Sequence, residues 1–467
     1  MTAPYPAHPQ LVGNYAPIRM ECDIDDVIVR GELPGDLDIT YYRNGPDPQF
    51  PPRGGHHWFA GDGMLHMFHI RDGRVRYRNR WARTVKWTLE RREGRSLYNA
   101  FNPLENDPVT QGVTEDGLAN TNVVWHGGRL LALEEGHAPF EIDPLTLDSI
   151  GTWRFDDRLK GPMTAHPKID PKTGEMLFFG YMAAGIFTPD MSYQAVDATG
   201  ELTRSECFAA PFASMVHDFI VTDEHVVFPI FPVTGSLERA MRGEPPFAWD
   251  PDKGTHIGVM RRDGSVESMR WYETDPCYVF HPMNAYSDGS RIVAHVMQFE
   301  EVPLFPRVDG SPTAPGKARL AEWTIDLADN ANGVHRRYLD DVGGEFPRLD
   351  ERFACGRYRH GFYAASINGA REVADFNAIV HHDFSLDRRD EYMLPDGDVT
   401  GEPVFVPKSG DAEEGDGYVL SVVYRAAENR SDLVVLDAGN VADGPVACAE
   451  LPHRVPYGFH GNWKYNA

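Results

Sequence analysis

Turn dipeptides recur along this chain at short intervals, each flanked by brief runs rich in Val, Ile, Phe and Tyr. IRDGRVRYRNRW (70–81), WHGGRLLAL (125–133), PKTGEMLFFGY (171–181), DATGELT (197–203), RRDGSVESMRW (261–271), YSDGSRIVAHVM (286–297) and EGDGYVLSVVY (414–424) all follow the pattern. Asp-Gly, Gly-Gly and Thr-Gly accept the positive φ of a tight hairpin turn, so antiparallel hairpins are predicted almost throughout. Helical periodicity is scarce, and SLERAMRG (236–243) is the clearest short candidate. Many hairpins, no linker and no long helical block point to one all-β domain over 1–467. A β-propeller suits so many strands better than a sandwich, because radial repetition of four-stranded blades removes exposed edges. Seven blades would take about 67 residues each, above the ~40–50 of compact repeats, and no repeated motif marks them.

The chain carries 45 basic against 70 acidic residues, a formal charge of −25 over 467 residues. Such a surface repels phosphate backbones and anionic headgroups, which argues against nucleic acid or a membrane surface as partner. The five cysteines, Cys22, Cys207, Cys277, Cys355 and Cys448, are scattered singly with no CxxC pair. Reduced, buried thiols and a cytoplasmic location are therefore expected. The start, MTAPYPAHPQ, lacks the basic and apolar regions of a signal peptide.

Most of the 19 histidines need no special role. The adjacent pairs His56-His57 and His381-His382 would point to opposite faces of a strand, and His8, His225, His335 and His453 sit in polar or terminal stretches expected to be solvated. Four others, His166, His217, His281 and His460, each lie at the edge of an apolar or aromatic strand-like run, 51, 64 and 179 residues apart in turn. This spacing excludes a local chelate such as HExxH but suits one ligand per blade delivered to a propeller axis.

The sequences around these histidines resemble the carotenoid cleavage oxygenase family, and within it the bacterial lignostilbene dioxygenase and isoeugenol monooxygenase branch. The resemblance runs almost end to end. It covers YYRNGPDPQF (41–50), HHWFAGDGMLHMFHI (56–70), ANTNVVWHGGRLLALEEGHAPFEIDP (119–144), MTAHPKIDPKTGEMLFFGY (163–181), MVHDFIVT, VFHPMNAY, GEFPRLDERF (344–353), EEGDGYVLSVVY (413–424), NRSDLVVLDA (429–438) and FHGNW (459–463). It implies a seven-bladed propeller, with loops and short helices capping one face and Fe(II) held on the axis by His166, His217, His281 and His460. Four neutral imidazoles leave two positions of an octahedral ion open and bring no charge, so carboxylates must orient the rings. By resemblance these are Glu135, Glu345 and Glu414, serving His217, His281 and His460, with His166 left without one. Thr121 matches the small side chain that the family places beside an open metal position, although a buried strand threonine would look the same.

An apolar pocket is expected for an alkene conjugated to an aromatic ring or polyene. Phe59 matches a family position that packs on substrate, and Phe305 is a second candidate wall; either could be ordinary core. The lignostilbene and isoeugenol cleavers resemble one another in holding a 4-hydroxyl with a tyrosine and a lysine. This chain departs from them: Glu134 stands where the lysine is expected, and Ala100 or Phe101, depending on a one-residue gap, where the tyrosine is expected, with Tyr98 out of register. The implied reaction is oxidative cleavage of a C=C bond by O2 into two carbonyl products, the substrate supplying the electrons. The implied partners are a small aromatic alkene and O2, with a homodimer as the candidate assembly. An apocarotenoid cleaver and a non-catalytic binding platform are the competing readings.

Overall fold

The computed structural model describes residues 4–99, 102–329, 333–368 and 375–466. Among them, antiparallel strands form six sheets of four to seven strands and one two-stranded ribbon. The predicted hairpins are present. Strands Gly63–Arg71 and Arg74–Trp81 are joined through Asp72 and Gly73, with φ of 52° and 70°, and Asn122–His126 and Arg129–Leu133 through Gly127 and Gly128, with φ of 54° and 76°. Two consecutive positive φ values match the right-handed twist of the flanking strands.

Sheets spanning 122–152, 168–209 and 220–274 are built mainly from strands consecutive in sequence, the last also giving off the ribbon Val233–Gly235/Phe247–Trp249. A seven-stranded sheet then runs from Tyr278 to Met393. The two chain ends interleave. Gly461–Tyr465 pairs with Ile39–Pro46, Arg43 opposite Gly461, while Ile28–Gly31 pairs with Pro445–Glu450. Each sheet is thus given a partner face by its neighbour, and the core lies between sheets. Phe179 and Tyr193 of one sheet, for example, pack with Phe228 of the next, all fully buried. Each such aromatic contributes roughly 1.5–3 kcal/mol by leaving water.

The short helix predicted in SLERAMRG forms as Leu237–Met241, its first turn capped by the Ser236 hydroxyl accepting from Arg239 N at 3.2 Å. A second helix, Val85–Glu93, was not predicted; Thr84 caps its start and Gly94, at φ 71°, its end. Its polarity is inverted, because Lys86 and Glu90 are its buried residues while Val85 is exposed. Buried charges one turn apart leave no apolar stripe to read in the sequence. His225, expected in solvent, is buried, with Nδ1 3.2 Å from the Ser287 hydroxyl. All five cysteines are free; Cys277 and Cys355 are buried as expected, whereas Cys207 is exposed. No helix among the described residues is long and apolar enough to cross a membrane.

Candidate metal centre and adjoining cavity

His166 lies two residues before the first strand of its sheet, Lys168–Ile169, and His217 three before Ile220–Val221. His281 sits within Tyr278–Asp288, where pairing slips between Val279 and Pro282. His460 immediately precedes Gly461–Tyr465, the strand at the edge of the first sheet. The four are buried, and one ligand atom from each lies within 4.8 Å of the others. His217 Nε2 is 3.0 Å from His166 Nε2 and 3.1 Å from His281 Nε2.

Carboxylates fix the outer nitrogens of three rings. Glu135 meets His217 Nδ1, Glu345 meets His281 Nδ1, and Glu402 meets His460 Nδ1 at 2.9 Å. With each Nδ1–H donating outward, Nε2 of these rings carries a lone pair. The facing nitrogens of His217 and His281 then repel across 3.1 Å unless a cation lies between them. The donor set therefore fits a divalent transition metal suited to imidazole. Burial, then the neighbouring rings, hold the pKa values of His166 and His281 well below the ordinary range, which keeps them neutral. His166 has no carboxylate within hydrogen-bond reach: its Nδ1 is 3.9 Å from Asp218, whose charge is met by Lys168 at 2.8 Å.

Glu414 was the expected partner of His460, and the structure replaces it with Glu402. Glu414 instead accepts the backbone N–H groups of Arg359 and His360, at 2.5 and 3.0 Å, and tethers a loop. Glu402 is locked by two further interactions, Gly461 N donating at 2.8 Å and Arg348 at 3.0 Å, and Arg348 is itself held by Gly461 O at 2.7 Å. Burial pushes the Glu402 carboxyl up, but Arg348 and His460 outweigh it and hold it below its usual range. Glu345 has no such cation. Its second oxygen is buried without a partner, and burial pushes its pKa well up. Its backbone is special too, since pairing slips between Glu345 and Arg348 and Phe346 adopts φ 55°. Bulges of this kind re-aim side chains beside active sites. Tyr181 completes the set by donating to the free oxygen of Glu135 at 2.9 Å.

A cavity of about 380 Å³ opens onto His217, His281 and His460. Phe59 lines it as expected, together with Phe280, Phe299, Phe346 and Phe459, which the sequence reading passed over. Phe305 does not. It stands behind the wall, 6.4 Å from the Phe59 ring and 5.3 Å from His57, while its neighbour Leu304, at φ 69°, meets the cavity. Thr121 lines the cavity, its hydroxyl donating to Asn120 at 2.9 Å and its carbonyl accepting His460 N at 3.1 Å. Phe101 and Ala100 fall outside the described residues. Tyr98 lines the cavity despite its register, and its hydroxyl is buried without a partner. Glu134 is also in the wall, bonded to His137 Nδ1 and to Leu118 N at 3.0 Å.

Residues 15–465 match the family described as retinal pigment epithelial membrane protein. The chain is 39% identical to isoeugenol monooxygenase of Pseudomonas nitroreducens, over 97% of this chain and 98% of that one. It is likewise 39% identical to lignostilbene-alpha,beta-dioxygenase isozyme III of Sphingomonas paucimobilis, over 99% and 98%. The crystal structure of Pseudomonas brassicacearum lignostilbene dioxygenase superposes with a TM-score of 0.95 at 37% identity, covering 100% of both chains. The buried four-histidine centre and these full-length likenesses place the chain in the retinal pigment epithelial membrane protein family, that is, among the carotenoid cleavage oxygenases.

Proposed function

We propose that this chain is a non-haem Fe(II) oxygenase that cleaves the C=C bond of a stilbene-like or alkenyl-phenol substrate with O2, giving two carbonyl products. The convergence of four buried imidazoles on one point, beside an aromatic-walled cavity, carries this reading. Fe(II), when bound by His166, His217, His281 and His460, supplies the site at which O2 is activated. The protein does the rest by position. Glu135, Glu345 and Glu402 hold three rings in the tautomer that turns Nε2 inward. Phe59, Phe280 and Phe459 exclude water and pack against the flat substrate. Thr121, its hydroxyl tied to Asn120, sets a small group in the cavity wall beside His460 and would limit how a reactant approaches the bound metal.

All atoms balance within the substrates: the C=C bond and the O–O bond of O2 both break, two C=O bonds form with one oxygen atom in each, and no outside reductant is needed. A cavity of about 380 Å³ with charged side chains in its wall suits a compact alkene bearing hydroxyl groups better than a long polyene. We read the seven-stranded sheet as two blades joined through the long strand Val334–Leu349. With the five other sheets this gives a single domain of seven blades.

The test is metal analysis of purified protein, followed by cleavage of stilbenes and isoeugenol under 18O2 with products identified by mass. Iron at one equivalent and labelled aldehydes are expected. A protein with neither iron nor affinity for Fe(II) sinks the reading.

A further inference from the structure

A second, much smaller cavity shares a wall with the first: Trp58, Phe346 and Phe376 line both. Its volume of about 20 Å³ admits one water-sized particle and no more. The rest of its lining brings the two ends of the chain together, Asn14 and Arg43 from one side, Thr400 and Gly401 from the other. Arg43, on strand Ile39–Pro46, is only 4% exposed. Its Nη1 donates to Pro456 O at 3.1 Å, whereas Nε and Nη2 make no hydrogen bond among the described residues. Nη2 is turned toward Gly401, 3.6 Å from where a Cβ on that residue would stand. None of the described carboxylates forms an ion pair with Arg43. Glu402, whose charge reaches it, is already bonded to Arg348 and His460. Burial pulls the pKa of Arg43 down while Tyr41 and Glu402 oppose that pull, and a guanidinium stays protonated at neutral pH. Asn14 is buried too, and its side-chain amide has no hydrogen bond among the described residues.

The cavity thus presents a buried cation and a neutral amide, and no acid balances the charge. A water molecule would meet the hydrogen bonds but leave the guanidinium unpaired, and buried charges are paired. An anion answers both needs, since Arg and the amide NH2 of Asn are donors. The volume admits a monatomic ion and excludes sulfate, phosphate or a carboxylic acid. We propose that this cavity is a halide site, in which a single chloride ion is the counter-ion of Arg43 and accepts a second hydrogen bond from Asn14. The ion then lies among the supports of the metal centre: Gly401 precedes Glu402, which holds His460, and Phe346 follows Glu345, which holds His281. The site is independent of which alkene is cleaved.

The metal-loaded protein is crystallised with bromide in place of chloride, and anomalous diffraction is recorded at the bromine edge. A bromine peak in hydrogen-bond contact with Arg43 Nη2 is expected. In solution, urea unfolding is followed at fixed ionic strength while chloride replaces gluconate, an anion too large for the cavity. Above the dissociation constant, the folding equilibrium constant should rise about tenfold for each tenfold rise in chloride, as one bound ion requires. Asn14→Asp sets a carboxylate across the cavity from Arg43. It should abolish the bromine peak and hold the folding constant within about twofold over the same chloride range. Arg43→Met should do the same, with circular dichroism and metal content certifying its fold; if it does not fold, Asn14→Asp decides alone. Density at the site without a bromine signal, equal unfolding in the two salts, or a chloride dependence that survives in Asn14→Asp would each overturn the site.

Discussion

The metal centre and the polar wall share one cavity but follow opposite electrostatic plans. At the centre, neutral rings turn lone pairs inward and carboxylates wait behind them, so the arrangement is completed by a cation. At the wall, two cations are already bound by four carboxylates, Lys86 by Asp62 and Glu90 and His137 by Glu134 and Asp116, so a further anion is unwelcome. Both ends bury charge, but only the first leaves a positive charge to be supplied from outside. The two polar groups therefore make opposite electrostatic demands, although Glu134 and Glu135 are neighbours in the chain.

The largest effect expected is from His217→Ala, which removes a ligand and strands Glu135. Metal should be lost at stoichiometric Fe(II), and cleavage with it, as read by metal analysis. Retention of a full equivalent would break the contrast at its strong end. Next, Arg348→Met leaves Glu402 buried without its cation and should cost about 3–5 kcal/mol in denaturant unfolding. Glu402→Gln should weaken metal binding about 10–100-fold, whereas Glu414→Gln should leave it unchanged; a competition titration that reversed these two would restore the original assignment. Tyr181→Phe, which deletes one hydrogen bond to Glu135, should cost about 1 kcal/mol of stability or a few-fold in metal affinity.

A pH-dependent effect sharpens the wall. The pKa of His137 is raised in the folded state to about 10, from an ordinary value near 6.5. Its stabilising contribution is thus full below pH 6.5 and is lost as pH rises through 10. The stability gap between wild type and His137→Gln, followed by urea unfolding, should shrink over that window; a gap that grew would contradict the imidazolium.

The sequence was most legible where geometry is local. Hairpin turns at Asp72-Gly73 and Gly127-Gly128 are dictated by two-residue chemistry, and the four histidines stood out through their flanking motifs. Glu402 was harder to find, because its link to His460 spans 58 residues and nothing nearby declares it among 70 acidic residues. One signal was available: like Glu345, it follows a glycine at a strand, in GEPVFVP as in GEFPRL. Phe305 and Leu304 were indistinguishable in sequence, since one positive φ decides which of them faces the cavity. The wall was least legible of all. Lys86 and Glu90 invert the polarity of their helix, and Tyr98 lines the cavity from two or three residues before the position where the tyrosine is expected.

The pairing of Gly461–Tyr465 with Ile39–Pro46 also sets a timetable for biosynthesis. His166, His217 and His281 leave the ribosome long before His460, which hangs directly on that last strand. A nascent chain can gather three imidazoles, but the fourth arrives only as the ring of sheets is shut. Metal capture and ring closure are then one event, and a chain that stops before residue 460 loses both together.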